Sequence, residues 1–177
     1  RVAHRIGLCR TGAPERVMPT TGIGNDVRFT TRYSDQDIMQ ALIATAHEVG
    51  HALYDRYTPQ EWQEQPVGDS QNMGEAIHES QSLIVDMQLA RSAAYWEVVG
   101  PIVREILGGD GPAFSNDNLY TLATHVARGV YRLSADEVTY PLHIIFRYQL
   151  ERQMVEGKLD VRDLPEAWRE KMINTMG

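Results

Sequence analysis

Two histidines four residues apart enclose a glutamate in the run His47-Glu48-Val49-Gly50-His51. Ile38, Leu42, Ala46 and Leu53 recur around it at helical spacing, so the run is predicted to lie on a helix. Positions i and i+4 of a helix share one face about one turn apart, and two imidazole nitrogens placed there can converge on one tetrahedral ion. Glu48 lies beside the pair, where it can reach a metal-activated water instead of the metal, the disposition of a hydrolytic zinc site. Gly50 lacks a side chain, and the expectation is that this leaves room for substrate near the ion. Without a metal, the same residues would be a polar stripe on a solvated helix.

A catalytic zinc takes a third protein ligand and keeps a further position for water. No H-x-x-G-x-x-H tail follows His51, which excludes the three-histidine arrangement. The remaining pattern draws a carboxylate from a following helix, and Glu75, Glu79 and Asp86 all lie on the next predicted one. Glu75 and Glu79 share a face, so spacing does not separate them. His78 competes, although it points about 100° away from Glu79.

The elements that must position these groups are almost all helical. Residues 1–25 show no period and hold Gly12, Pro14, Pro19, Gly22 and Gly24, so they are expected to be irregular. DVRFTTRY, residues 26–33, suits one short strand or an extended arm. Ser34 and Asp37 resemble a capping box for a helix running to about Tyr57, with Pro59 beyond its end. A polar loop over residues 59–70 leads to a second long helix, about Gln71 to Val98, broken by Gly100–Pro101. A short helix then ends at Gly108–Gly109. Asn116 is a candidate N-cap for a helix carrying Leu119, Leu122, Val126 and Val130. Pro141 fits only a first turn, which places a break near Asp136–Thr139 and a helix from Tyr140 to Glu156. Asp163 and Pro165 open the last helix. The expected fold class is all-α.

At 177 residues, with 42% hydrophobic and 23% charged residues, the chain has the composition of a soluble globular domain. A net charge of −7 argues against nucleic acid as a partner, because phosphate binding needs a basic surface. Cys9 is the single cysteine, so no internal disulfide forms and no cysteine cluster holds a metal. No membrane-length apolar run and no signal-peptide pattern is visible, which leads to the expectation of a soluble cytoplasmic protein.

HEVGHALYDRY, then GEAIHESQSL, then SADEVTYPLHIIFRYQLE together resemble the carboxypeptidase Taq family of metallocarboxypeptidases, and DVRFTTRY is similar to another signature of that family. The likeness continues through LPEAWREKM. The resemblance implies an all-helical enzyme, usually a homodimer, that removes single residues from peptides with a free C-terminus. It implies zinc, with cobalt as a substitute, held by His47, His51 and Glu79, and Glu48 as general base and acid. Arg132, in a segment similar to the family's I-R-x-x-A-D-E, is the candidate clamp for the substrate carboxylate, with Arg28 second. A planar guanidinium suits that bidentate contact. Tyr140 and His143, three residues apart, are candidate donors to the tetrahedral oxyanion. Asp136 is a candidate to orient a zinc-ligating histidine through its second nitrogen.

The chain also departs from the family. Members are a few times longer, and their N-terminal helical half and Gln-Asp-x-His-Trp motif have no counterpart here. Leu83 stands where many members have Arg. Residues 1–20 lack the His-Pro-Phe segment and carry Arg1, Arg5, Arg10 and Arg16 against the single acid Glu15. These features lead to the expectation of a truncated catalytic core over residues 26–177, preceded by a non-homologous stretch and prone to self-association through exposed apolar faces.

Overall fold

The structure is a computed structural model that describes residues 21–23, 26–31, 37–62 and 75–177. The first twenty residues, Ser34, and the start expected for the second helix lie outside that set. The described residues form two compact units, divided between Ala123 and Thr124. No described helix is long and apolar enough to cross a membrane.

The first unit begins with a short antiparallel hairpin, β1 (Thr21–Ile23) and β2 (Asp26–Arg28), paired with Gly22 opposite Val27. β1 thus falls inside the stretch expected to be irregular. Val27 and Phe29 pack on Ala52 and Leu53 of α1 (Ile38–Tyr57), which seats the hairpin on that helix. Asp37 is the N-cap of α1 and accepts from the Gln40 amide at 3.1 Å. The expected capping box had placed Asp37 one turn further in. Thr45 Oγ1 lies 3.2 Å from Thr31 Oγ1, so the segment after β2 is tied to α1 as well.

The long second helix expected from the sequence is three pieces. α2 (Glu75–Leu83) runs directly into a π-helical turn over Ile84–Leu89, closed by the i→i+5 bond from the Ala90 amide to the Val85 carbonyl at 2.8 Å. Ser92 then caps a new helix, α3 (Ala93–Leu107), through the Tyr95 amide. Gly100–Pro101, the expected breaker, lies inside α3. Pro101 removes one helical hydrogen bond there, while buried Gly100 allows Asn116 to approach closely. Gly108, at φ 64°, ends the helix in the left-handed conformation that glycine adopts without steric cost.

α4 (Asn116–Ala123) is shorter than its apolar spacing suggested, and Val126 and Val130 lie beyond it, exposed. Ser115 caps it through the Asn118 amide, which frees Asn116 to accept from Arg104 at 2.8 Å. Trp96, Val103, Leu119 and Ala123 form the buried centre of this unit, with Met39 and Leu42 of α1 against it. Trp96 is fully buried and satisfies its indole N–H on the Ala90 carbonyl at 3.0 Å. An aromatic of that size contributes roughly 1.5–3 kcal/mol or more by leaving water.

The second unit is a helical hairpin. α5 (Thr139–Val155) starts at the break expected from Pro141, and Gly157 at φ 70° turns the chain after it. α6 (Leu164–Met176) returns along α5, with Phe146, Leu150 and Met176 buried between them and Trp168 edge-on to Phe146.

Candidate metal centre

α1 and α2 cross at Gly50. A Cβ there would stand 2.5 Å from the Ser82 Cα and 2.6 Å from the Gln81 carbonyl oxygen, inside backbone that cannot swing aside. The expectation that Gly50 makes room for substrate is therefore corrected. Its missing side chain lets two helices touch, and that approach carries the face of α2 up to the His47–His51 face of α1.

Three of the expected ligand atoms converge there. His47 Nε2 and His51 Nε2 are 3.2 Å apart, and Glu79 Oε2 lies 3.1 Å from His51 Nε2 and 3.6 Å from His47 Nε2. Four ligands at zinc's usual bond lengths define a tetrahedron with edges of about 3.3 Å. The three separations match one face of such a tetrahedron, so the donor set fits a divalent ion without rearrangement. Glu79, about a third exposed, leaves the group open to solvent on one side. Glu75 is exposed at the start of α2 and is not in the cluster.

Asp86, the third carboxylate candidate, has a different place. It is buried in the π-helical turn, and its Oδ2 lies 2.9 Å from Nδ1 of His47, the nitrogen facing away from the cluster. A carboxylate at this position fixes the tautomer and ring angle of a ligand histidine. Asp86 thus stands where an orienting carboxylate would stand, the role for which Asp136 was the candidate. Asp136 is buried in the second unit, where it accepts from the Ala127, Val138 and Thr139 amides and the Thr139 hydroxyl at 2.8–3.0 Å. Burial alone would push its carboxyl up, but those bonds outweigh it and hold the pKa below the usual carboxylate value.

Burial likewise pushes the His47 imidazole down. The Asp86 hydrogen bond and the charges of Glu79, Asp86 and Glu48 win, and its pKa is raised. The carboxylates that raise it surround the ring with negative charge. Glu48, partly buried on α1, contributes to that field. His78 does not compete for the cluster: its Nε2 donates to Asp55 at 3.1 Å. Neither Asp55 nor the role of His78 was singled out from the sequence. The signal available was Asp55 at i+4 from His51, one turn along the same face.

The expected substrate residues divide between the units. Arg28 is exposed on β2 in the first. In the second, Arg132 Nη1 donates to the Tyr140 hydroxyl at 3.0 Å. His143 has 0% exposure and its Nε2 donates to the Gly129 carbonyl at 3.1 Å. Desolvation, helped by the charges of Arg147 and Arg132, holds the His143 pKa below the usual imidazole value. His143 therefore anchors the segment before α5 to the helix, and its one bonded ring nitrogen is committed to backbone.

A model of the carboxypeptidase Taq (M32) metallopeptidase family matches residues 16–177. Thermostable carboxypeptidase 1 of Thermus thermophilus is 40% identical over 152 residues, which are 86% of this chain and 29% of that protein. Carboxypeptidase 1 of Bacillus subtilis is 34% identical over 158 residues, 89% of this chain and 31% of its own. Among solved structures, metallocarboxypeptidase 1 of Trypanosoma cruzi superposes with a TM-score of 0.79 at 36% identity, over 87% of this chain and 30% of that one. The M32 carboxypeptidase of Deinococcus radiodurans gives 0.77 at 36% identity, over 89% and 32%. The chain spans about three tenths of the length of these relatives. With the match running from residue 16 to the last residue, the chain belongs to the carboxypeptidase Taq (M32) family of metallopeptidases.

Proposed function

We propose that this chain carries the metal centre of a zinc metallocarboxypeptidase that hydrolyses the C-terminal residue of peptides. The observation that supports it most is the tetrahedral spacing of His47, His51 and Glu79 on two helices held in contact by Gly50. When bound there, zinc supplies a Lewis acid for the scissile carbonyl and lowers the pKa of a water. Glu48 takes the proton from the attacking water and passes it to the departing amine. Asp86 keeps His47 oriented throughout. By family resemblance alone, Arg132 is proposed for the substrate's terminal carboxylate, with Arg28 as the second choice, and Tyr140 and His143 for the oxyanion; within the second unit, His143 Nε2 already holds the Gly129 carbonyl. Zinc is preferred to other ions because two imidazoles and one carboxylate suit it, and cobalt accepts the same geometry.

The test is metal content measured together with release of single residues from peptides with a free C-terminus, for this chain and its Glu48→Gln variant. Zinc at one per chain, with release abolished by the substitution, is the expected result. Release that survives Glu48→Gln would overturn the mechanism, and metal without release would restrict the chain to metal binding. A homodimer is part of the same proposal, supported by the exposed Tyr57, Trp62, Ile84 and Leu89 on the first unit. A clean monomer in size-exclusion chromatography would count against it.

A further inference from the structure

The two histidines of the cluster are held in different ways. His47 has Asp86 on its second nitrogen. His51 Nδ1 is buried and makes no hydrogen bond among the described residues, so none of them holds that ring from its second nitrogen as Asp86 holds His47. A ring instead lies flat against it: the His78 imidazole stacks on His51 with centroids 4.3 Å apart and planes 22° from parallel.

His78 is itself fixed from two directions. Its Nε2 donates to Asp55 Oδ1 at 3.1 Å, both side chains being largely buried, and Tyr54 meets it edge-on with centroids 5.3 Å apart. Asp55 and Tyr54 stand on α1 within one turn of His51, and His78 immediately precedes Glu79 on α2. The contact therefore joins the helix that carries the imidazoles to the helix that carries the carboxylate, at the residue next to that carboxylate.

We infer that Asp55 and His78 form a positioning pair, in which the hydrogen-bonded His78 ring clamps His51 by stacking and sets the angle at which its Nε2 meets the metal. The inference rests on the metal-centre reading above. Stacking restricts rotation about the Cβ–Cγ bond of His51, the same freedom that Asp86 restricts for His47 by hydrogen bonding. Supporting partners of this kind change metal affinity by about 10–100-fold, because a ring free to rotate must be ordered when the ion binds. Tyr54 and Asp55 hold the clamp, and neither belongs to the ligand cluster.

The experiment compares the chain with its His78→Ala, His78→Phe and Asp55→Ala variants. Zinc affinity is read by competition with a chromophoric chelator, the visible spectrum of the cobalt(II) form reports coordination geometry, and melting of the metal-free protein controls for folding. His78→Ala should weaken zinc about tenfold and change the cobalt spectrum. His78→Phe, which keeps a flat ring, should recover most of the affinity and the spectrum, and Asp55→Ala should shift both by a smaller amount. If His78→Ala fails to fold, the other two variants carry the comparison. Unchanged affinity and an unchanged cobalt spectrum in His78→Ala, or in Asp55→Ala where His78→Ala does not fold, would overturn the pairing, even if melting falls. A parent chain that binds no zinc would overturn the metal-centre reading itself, and that result is distinct from the first.

Discussion

The carboxylate of Asp86 stands 2.9 Å from Nδ1 of His47, behind the ring whose other nitrogen faces Glu79 and His51. Asp86 sits in a π-helical turn, a feature that recurs at functional sites. Replacing it with Asn keeps the size and removes the charge. Zinc affinity should fall by about 10–100-fold, with the fold retained. Competitive chelator titration measures this, and an Asp86→Asn chain that binds zinc as tightly as its parent would show that the contact does not tune the ligand.

Glu79 and Glu75 have the same helical phase in sequence but differ in place. Glu79 Oε2 stands within 3.6 Å of both imidazoles, while Glu75 is exposed at the first turn. Glu79→Ala should abolish stoichiometric zinc binding and Glu75→Ala should leave it intact. Equal loss in both, read by metal analysis after dialysis, would reject Glu79 as the third ligand.

The raised pKa of His47 gives two opposite pH dependences. In the metal-free chain its folded value lies above the unfolded value of about 6.5, so the stability it contributes is complete below about pH 6.5 and is lost as pH rises through the folded value. Zinc needs the unprotonated ring, so binding weakens as pH falls through that same raised value. The gap between the melting temperatures of the zinc-loaded and metal-free chains should therefore widen with pH between about 5.5 and 8. A gap that stays constant would remove His47 from the ligand set.

Gly50→Ala tests the helix crossing. The added methyl would meet Ser82 Cα and the Gln81 carbonyl oxygen, both backbone atoms, at 2.5 and 2.6 Å. Relief requires α1 and α2 to separate, so the cost should reach the upper part of the roughly 1–3 kcal/mol typical of overpacking, and zinc binding should weaken with it. Urea unfolding of the metal-free chain reads the first and chelator competition the second. An alanine tolerated without change in either would mean that the close approach does not set the site.

Much of the site was legible in the chain itself. His47, Glu48 and His51 are close in sequence, and helix geometry alone puts the two imidazoles on one face. Gly108 and Gly157 announce their turns through local chemistry, and Pro141 placed the start of α5 to within a residue or two. Where the local signal was shared or continuous, it misled. The apolar period running from Ile77 through Trp96 hides both the π turn and the Ser92 cap, because a period shows which residues face a core and not where hydrogen bonding changes step.

Sequence by itself determined that two imidazoles would share a helix face with a glutamate beside them, and pointed to a carboxylate from a later helix. Spacing left Glu75, Glu79 and Asp86 open and the family resemblance named Glu79, but only the tertiary structure supplies the physical reason. Glu75, Glu79 and Asp86 differ in role because α2 meets α1 at Gly50 and then widens into a π turn. The crossing brings Glu79 to the front of the imidazoles and Asp86 behind His47. Backbone contact between helices sets that crossing, and no spacing within either helix encodes it.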